Sequence, residues 1–171
     1  MNIFSKTIFA LLFLAGCNTT EYNFLVPRAS NPLDNAVEKI GLEEISDNPE
    51  LKTFLGVDPT KTEWCAAFVN AVLDESDIPS NNNHKYPLTA RAFLDWGEPI
   101  SKENIYPGDI VIFPRGDQGW QGHVGFYIST VTIKEIEFYQ ILGGNQDDKV
   151  SIEMYRVSSV LGIRRYSFYN W

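Results

Sequence analysis

The chain has 171 residues, of which 44% are hydrophobic and 13% aromatic, and this is enough apolar material for one domain with a buried core. Its 14 basic and 22 acidic residues give a net charge of −8. This acidic balance, without any basic run, argues against binding to the backbone of a nucleic acid. Nothing in the sequence indicates an oligomeric state.

Residues 1–16 have the layout of a secretory signal peptide. Lys6 supplies positive charge, residues 7–16 form a short apolar run, and small residues lead into Cys17. The apolar run is too short to predict a membrane-spanning helix. A plain secretory signal that is cleaved near this point is the alternative.

The sequence Leu14-Ala15-Gly16-Cys17 resembles the lipobox of bacterial lipoproteins. The resemblance implies cleavage before Cys17 and a membrane anchor through lipid on Cys17. Asn18 stands where an aspartate retains enterobacterial lipoproteins in the inner membrane, so the resemblance implies the periplasmic face of the outer membrane, in a cell that has one. Residues 17–30 then form a lipidated tether, and residues 31–171 form the domain.

The first half of this domain predicts helices and the second half predicts strands. Proline and glycine positions place the helices at residues 36–40, 49–55, 62–77 and 89–96. Apolar runs after Pro107 place the strands at residues 109–113, 123–128, 136–142, 150–155 and 162–168. This order predicts an α+β fold with an antiparallel sheet.

Cys65 is the first candidate for chemistry. It lies in the first turn of an amphipathic helix that Thr62 is expected to cap, where unpaired N–H groups and the helix dipole favour a thiolate. If Cys17 carries lipid, Cys65 has no disulfide partner in an oxidising compartment, and a chemical role would offset that liability. The alternative is that Cys65 is a small buried residue that only packs.

His123 is the second candidate, because it begins a predicted strand directly after Gly122. A histidine facing the thiol could take its proton and later give that proton to a leaving amine. The alternative is a core histidine whose hydrogen bonds are satisfied. The other histidine, His84, lies in the polar segment 80–87 and is expected to be an exposed loop residue.

A third polar group is needed to hold the histidine in the useful tautomer. Asn145 is the predicted orienting residue, with Gln146 and Asp147 as alternatives, because they follow Gly143-Gly144 at the end of a strand. Strand alternation places Asn145 and Gln146 on opposite faces unless the strand bulges, and the shorter Asn145 loses less rotamer freedom.

Three further side chains are predicted to contact the substrate, namely Trp64, Trp120 and Gln146. No set of histidines and cysteines has the spacing of a zinc site. We therefore expect neither a metal nor another cofactor.

Four blocks in this order resemble the papain-like NlpC and CHAP families of bacterial cell-wall amidases and peptidases, over about residues 36–166. They are residues 64–70 (WCAAFVN), 107–113 (PGDIVIF), 122–127 (GHVGFY) and 143–146 (GGNQ). The resemblance implies a papain-like fold, in which the helix with Cys65 packs on an antiparallel sheet of about five strands that carries His123 and the third residue. In CHAP proteins this third position can involve a Glu followed two residues later by Asn, and Gly143 stands in the place of that Glu.

The resemblance implies a lipid-anchored cysteine hydrolase that cuts an amide bond in the peptide part of peptidoglycan. Cys65 would be the nucleophile, His123 the base and then the acid, and Asn145 the orienting residue. Two alternatives remain open. One is a non-catalytic, wall-binding lipoprotein on the same fold, and the other is acyl transfer or cleavage of an amide outside the wall.

Overall fold

The structure is a computed structural model that describes residues 31–166. The predicted signal peptide, Cys17 and the tether lie outside the described residues, as do residues 167–171. Lipidation and the boundaries at residues 16 and 30 therefore stay predictions. No helix within residues 31–166 is long and apolar enough to cross a membrane.

The described part of the chain folds into three α-helices and one six-stranded sheet. The helices are α1 (Pro32–Val37), α2 (Asn48–Leu55) and α3 (Cys65–Glu75), and the strands are β1 (Glu98–Pro99), β2 (Ile110–Pro114), β3 (Gly122–Ile133), β4 (Ile136–Gly143), β5 (Ser151–Arg156) and β6 (Gly162–Arg165). Short 3₁₀ helices lie between them at Pro59–Lys61, Ala90–Asp95, Lys102–Asn104 and Val157–Ser159.

The strands pair in the order β1-β6-β2-β3-β4-β5, and every pairing is antiparallel. The predicted α+β class and antiparallel sheet are confirmed. The predicted number of about five strands is one too low. The missed strand is β1, which has two residues and is therefore too short to show an alternating pattern in the sequence. Strands β2 to β5 follow one another across the sheet, whereas β6 returns to pair with β2.

Local sequence explains where the helices begin and end. Helix α1 begins earlier than predicted, because the side chain of Asn31 accepts a hydrogen bond from the N–H of Leu33 and Pro32 suits the first turn. Helix α2 ends as predicted at Gly56, which has a left-handed φ of 69°. Helix α3 begins at Cys65, with Trp64 and not Thr62 in the N-cap position.

Helix α3 packs against the face of the sheet formed by β3 and β4. Phe68 and Phe126 are fully buried at this contact, with ring centroids 6.4 Å apart. Gly144 lies directly after β4, where an added Cβ would overlap the ring of Trp64 and lie 2.7 Å from Cβ of Phe68. The glycine therefore brings the end of β4 close to the first turn of α3, which carries the thiol.

A buried ion pair joins the start of β2 to β6. Asp109 is fully buried, and its two carboxylate oxygens accept hydrogen bonds from Nε and Nη2 of Arg165 at 2.6 and 2.7 Å. The backbone N–H of Tyr106 also donates to this carboxylate, at 2.8 Å. This bidentate pair holds the returning strand β6 beside β2.

Candidate active site

Cys65 is the first residue of α3 and lines a cavity of about 480 Å³. Only 3% of the residue is exposed. The cavity is lined by Glu63, Cys65, Leu88, Thr89, Ala90, Arg115, Gly116, Trp120, Gln121, Gly122, Asn145, Asp147 and Asp148. A ligand in this cavity would meet the thiol at the N-terminal end of α3.

Burial raises the pKa of the Cys65 thiol above its ordinary value. The charge of Arg115 and hydrogen bonds from the backbone of Val124 and Ala66 act in the opposite direction, and they do not overcome the burial. The thiol is therefore protonated at neutral pH in the free protein. The expectation that the helix terminus makes the thiolate easy to form is wrong here, because it ignores the cost of removing that charge from water.

His123 lies near the start of β3, opposite Phe113 of β2, and is 1% exposed. Its Nε2 atom lies 3.0 Å from Oε1 of Gln146. Since Val124 is the next residue and hydrogen-bonds the sulfur of Cys65, the start of β3 brings the histidine and the cysteine to the same place. The two predicted residues that are most important for chemistry are thus neighbours in the fold.

The hydrogen bonds of Gln146 define which nitrogen of His123 carries the proton. Nε2 of Gln146 donates to the carbonyl oxygen of Ser151 at 2.6 Å, and a carbonyl can only accept. Oε1 of Gln146 therefore faces His123, and as an acceptor it requires a proton on Nε2 of the histidine. In the neutral ring Nδ1 is then unprotonated and can act as a base.

Nδ1 of His123 is buried and has no hydrogen-bond partner within residues 31–166. Leaving a buried acceptor unpaired costs free energy, and unpaired buried groups are concentrated at sites that bind or react. Burial lowers the pKa of His123 to about 4, and the charge of Arg115 adds to this effect. The histidine is therefore neutral near pH 7, with a free lone pair on Nδ1.

The structure places Gln146, and not Asn145, against His123. Strand β4 ends at Gly143, and the following turn has left-handed φ angles of 56° at Asn145 and 52° at Asp147. These angles end the strand alternation on which the choice of Asn145 depended. Gln146 then turns inward and is 2% exposed, whereas the side chain of Asn145 turns toward the cavity.

Asn145 belongs to a polar cluster at the wall of the cavity. Its Nδ2 donates to Oε2 of Glu63 at 2.7 Å, and its carbonyl accepts a hydrogen bond from Nη2 of Arg115 at 2.9 Å. Nη1 of Arg115 also lies 3.7 Å from Oε2 of Glu63. This cluster fixes the turn that carries Gln146 and places one cation beside the thiol.

Of the three side chains predicted to contact substrate, Trp120 is exposed at the cavity, whereas Trp64 and Gln146 are buried. Trp120 is 66% exposed and lines the cavity, so it is available to a ligand. Trp64 is fully buried, and its Nε1 donates to Oε2 of Glu44 at 2.9 Å, so its ring cannot reach a ligand. Gln146 is buried beneath the site and contacts His123 instead. The pattern of an aromatic residue next to Cys65 did not distinguish a core position from a surface position.

Gly143 makes room for this arrangement. A Cβ added at Gly143 would lie 3.1 Å from Oε1 of Gln146 and 3.2 Å from Nε2 of His123. A side chain at this position would therefore compete with Gln146 for the space beside the histidine.

Tyr155 and Arg115 are part of the site, although the sequence analysis did not select them. Tyr155 lies on the edge strand β5 and stacks on the ring of His123, with centroids 5.1 Å apart. Three successive residues before Tyr155 in β5 are exposed, so the burial of this strand does not alternate and gives no sign of the role of Tyr155. Arg115 lies in an irregular segment after β2, where periodicity gives no information. His84, as expected, lies outside this site, in a turn where its Nδ1 accepts from the N–H of Tyr86.

No group of three or more histidine, cysteine, aspartate or glutamate side chains within residues 31–166 is arranged to hold a metal ion. Comparison with known proteins gives no matching family model and no similar curated sequence. The positions of Cys65, His123 and Gln146 are therefore the observations that bear on function.

Proposed function

We propose that this protein is a papain-like cysteine hydrolase that cleaves an amide bond in the peptide part of peptidoglycan. The single observation that carries the proposal is the orientation of His123. Its Nε2 is engaged by Gln146, so that Nδ1 is the unpaired base of a neutral ring, and the next residue on the strand, Val124, hydrogen-bonds the Cys65 sulfur through its backbone. A histidine that served only to pack would gain nothing from a buried nitrogen without a partner.

In the first chemical step, Sγ of Cys65 attacks the carbonyl carbon of the substrate amide and its proton moves to Nδ1 of His123. The structure favours a neutral pair before this step, so transfer of the proton accompanies attack instead of preceding it. A positioned base of this kind contributes about 10²-fold to 10⁴-fold in rate. Gln146 keeps the ring oriented, and its Oε1 stabilises the imidazolium that forms.

The oxyanion of the tetrahedral intermediate needs hydrogen-bond donors close to the sulfur. The N–H of Cys65 lies at the first position of α3, where no carbonyl within the helix can pair with it. The dipole of α3 favours negative charge at the same place. One such donor is worth about 10²-fold to 10³-fold in kcat. His123 then gives its proton to the leaving amine, and water releases the acyl group from Cys65.

The residues that line the cavity suit a peptide with polar groups. Trp120 offers an exposed aromatic face, and Arg115 and Glu63 offer opposite charges on one wall. Asp147 and Asp148 add negative charge at the rim. Peptide stems of the wall carry both carboxylates and amines, and such a substrate matches this mixed lining better than an uncharged amide does.

A non-catalytic, wall-binding protein on the same fold is the second candidate. The observation that favours it is the burial of Cys65, since a thiol with 3% exposure and a raised pKa also fits a residue that only packs. This candidate gives no reason for the unpaired Nδ1 of His123. Acyl transfer, or cleavage of an amide outside the wall, would use the same three residues.

We also propose that lipid on Cys17 holds the domain at the periplasmic face of the outer membrane. The lipobox-like sequence and Asn18 support this location. Labelling with a palmitate analogue should mark the wild type and leave Cys17→Ser unmarked. An unlabelled wild-type protein in the native host would contradict the proposal.

Purified sacculi provide the test of hydrolysis. We expect the full-length protein to release peptide fragments with new amino and carboxyl ends, identified by mass spectrometry, and Cys65→Ser and His123→Ala to release none. Sacculi should still pellet the Cys65→Ser variant if the cavity binds the wall. Binding by the wild type without any fragments would favour the non-catalytic candidate, and equal fragment release by Cys65→Ser would overturn the proposed nucleophile.

A further inference from the structure

Tyr155 contacts both His123 and Gln146. Its ring is stacked on the ring of His123, with centroids 5.1 Å apart and an angle of 16° between the planes. Its hydroxyl donates to Oε1 of Gln146 at 3.1 Å. This oxygen therefore accepts from both Tyr155 and Nε2 of His123, which uses both of its lone pairs.

The position of Tyr155 in β5 is unusual for that strand. The neighbouring residues Ile152, Glu153, Met154 and Arg156 are exposed, whereas Tyr155 is half-buried. The ring of Phe113 stacks at 4.6 Å from the ring of Tyr155. A phenylalanine in this place would pack equally well, so packing alone does not explain why the ring carries a hydroxyl that reaches Gln146.

The hydroxyl of Tyr155 makes the orientation of Gln146 harder to reverse. Burial raises the pKa of Tyr155 to about 12, so the hydroxyl keeps its proton near neutral pH. Rotation of the amide by 180° would place its oxygen against the carbonyl oxygen of Ser151, which can only accept, and would leave the protonated Nε2 of His123 and the hydroxyl of Tyr155 without their acceptor. The bonds in this set support one another, so the present orientation is favoured.

The geometry points to Tyr155 as a positioning residue, which holds the Gln146 amide and the His123 ring so that Nε2 carries the proton and Nδ1 remains a free base. The ring of Tyr155 limits tilting of the imidazole, and its hydroxyl fixes the amide that selects the tautomer. The effect on rate rests on the proposed function. The tautomer is a property of the folded chain and can be measured without any substrate.

The test combines nitrogen NMR with kinetics on the full-length chain. The sequence has 2 histidines, so a His84→Asn variant assigns the ring nitrogens of His123. Tyr155→Phe removes the hydroxyl and keeps the stacked ring. Tyr127→Phe is the matched control, because the hydroxyl of Tyr127 is 2.9 Å from Oγ1 of Thr130 and belongs to the same face of the sheet, away from His123.

We expect the wild-type ring of His123 to be protonated at Nε2 near pH 7. In Tyr155→Phe the nitrogen shifts should move toward the average of the two tautomers. The kcat for fragment release should fall about 10-fold, with KM changed less than about twofold. Tyr127→Phe should change neither the shifts nor kcat.

Two results would overturn the inference. One is a wild-type ring protonated at Nδ1, which needs no variant and so decides the matter even if Tyr155→Phe does not fold. The other is a folded Tyr155→Phe variant with wild-type nitrogen shifts. If the shifts move as expected in a protein that hydrolyses no wall peptide, the inference stands and the proposed function fails.

Discussion

Oε1 of Gln146 lies 3.0 Å from Nε2 of His123, and this contact assigns opposite chemical roles to the two nitrogens of one imidazole ring. The amide oxygen accepts a hydrogen bond from the protonated Nε2, and Nδ1 is left as the base. Gln146→Ala should therefore release the ring into a mixture of tautomers. We expect kcat to fall about 10-fold to 10³-fold while KM changes little.

Asn145→Ala distinguishes the two candidate orienting residues, because the side chain of Asn145 hydrogen-bonds Glu63 and not the histidine. Its kcat should fall less than that of Gln146→Ala. Folding of both variants can be checked by near-ultraviolet circular dichroism. A larger loss of kcat in Asn145→Ala than in Gln146→Ala would contradict the assignment of Gln146 as the orienting residue.

Hydrolysis should persist into the acidic range. Burial, with a contribution from the charge of Arg115, lowers the pKa of His123 to about 4, so Nδ1 stays unprotonated above that pH. The side chains that contact the ring include Gln146 and Tyr155, neither of which is negatively charged at neutral pH, and Arg115 is the charged group that acts on it. The acid limb of kcat/KM against pH should fall near pH 4. A midpoint near 6.5, the ordinary value for histidine, would contradict this prediction.

The low pKa of His123 also makes the stability of the fold depend on pH. Between the ordinary value of 6.5 and the folded value of about 4, the unfolded chain binds more protons, so stability is complete above 6.5 and is lost as pH falls. The free energy of unfolding should drop by about 2 kcal/mol from this source between about pH 7.5 and pH 5. Urea unfolding at a series of pH values measures this change in the free energy of unfolding.

Replacement of His123 isolates the contribution of its ring. His123→Asn should lose about 2 kcal/mol less than the wild type over the same pH interval, whatever its absolute stability. Equal pH dependence in the wild type and His123→Asn would mean that the ring is not buried in the neutral form.

The thiol of Cys65 should react slowly with iodoacetamide in the free protein. Its pKa is raised mainly by burial, and the charge of Arg115 is the largest effect in the opposite direction. Alkylation near pH 7 should therefore be slower than that of glutathione, and Arg115→Met should slow it further. Circular dichroism should show that Arg115→Met is folded. Alkylation faster than that of glutathione at pH 6 would indicate a thiolate at the helix terminus.

The ion pair between Asp109 and Arg165 should matter for folding and not for chemistry. Asp109→Ala leaves the guanidinium of Arg165 without its carboxylate and removes the acceptor of the Tyr106 N–H. We expect a loss of about 1.5–3 kcal/mol in urea unfolding, because the guanidinium of Arg165 is partly exposed and keeps its bond to the carbonyl of Asn104. Glu75→Ala, which breaks the surface pair with Lys39, should cost less than about 1 kcal/mol. Similar losses of unfolding free energy in Asp109→Ala and Glu75→Ala would contradict the larger contribution expected of the pair between Asp109 and Arg165.

Much of the fold could be predicted because the signals are local. Glycine at residue 56 ends α2, and apolar runs mark β2, β3 and β4. The return of β6 to β2 could not be predicted, because the buried pair of Asp109 and Arg165 that accompanies it joins residues far apart in the chain. The same reason applies to the pairing of β1 with β6.

The site was predicted less completely than the fold. Cys65 and His123 could be predicted because each stands near the start of a helix or strand, and local sequence signals locate these starts. Gln146 was ranked second, because strand alternation was extended into a turn that has left-handed residues. The prediction that Cys65 readily forms a thiolate was wrong, because the sequence shows the helix terminus but not how deeply the thiol is buried.

The empty space at Gly143 has a consequence for the mutational paths open to this protein. A Cβ at position 143 would lie 3.1 Å from Oε1 of Gln146, so the amide would have to shift by a few tenths of an ångström away from its present place beside His123. A change that shortens residue 146 would instead leave the histidine without its acceptor. The effects of substitutions at the two positions should therefore not be additive, and a change at one of them alters which residues the other can accept.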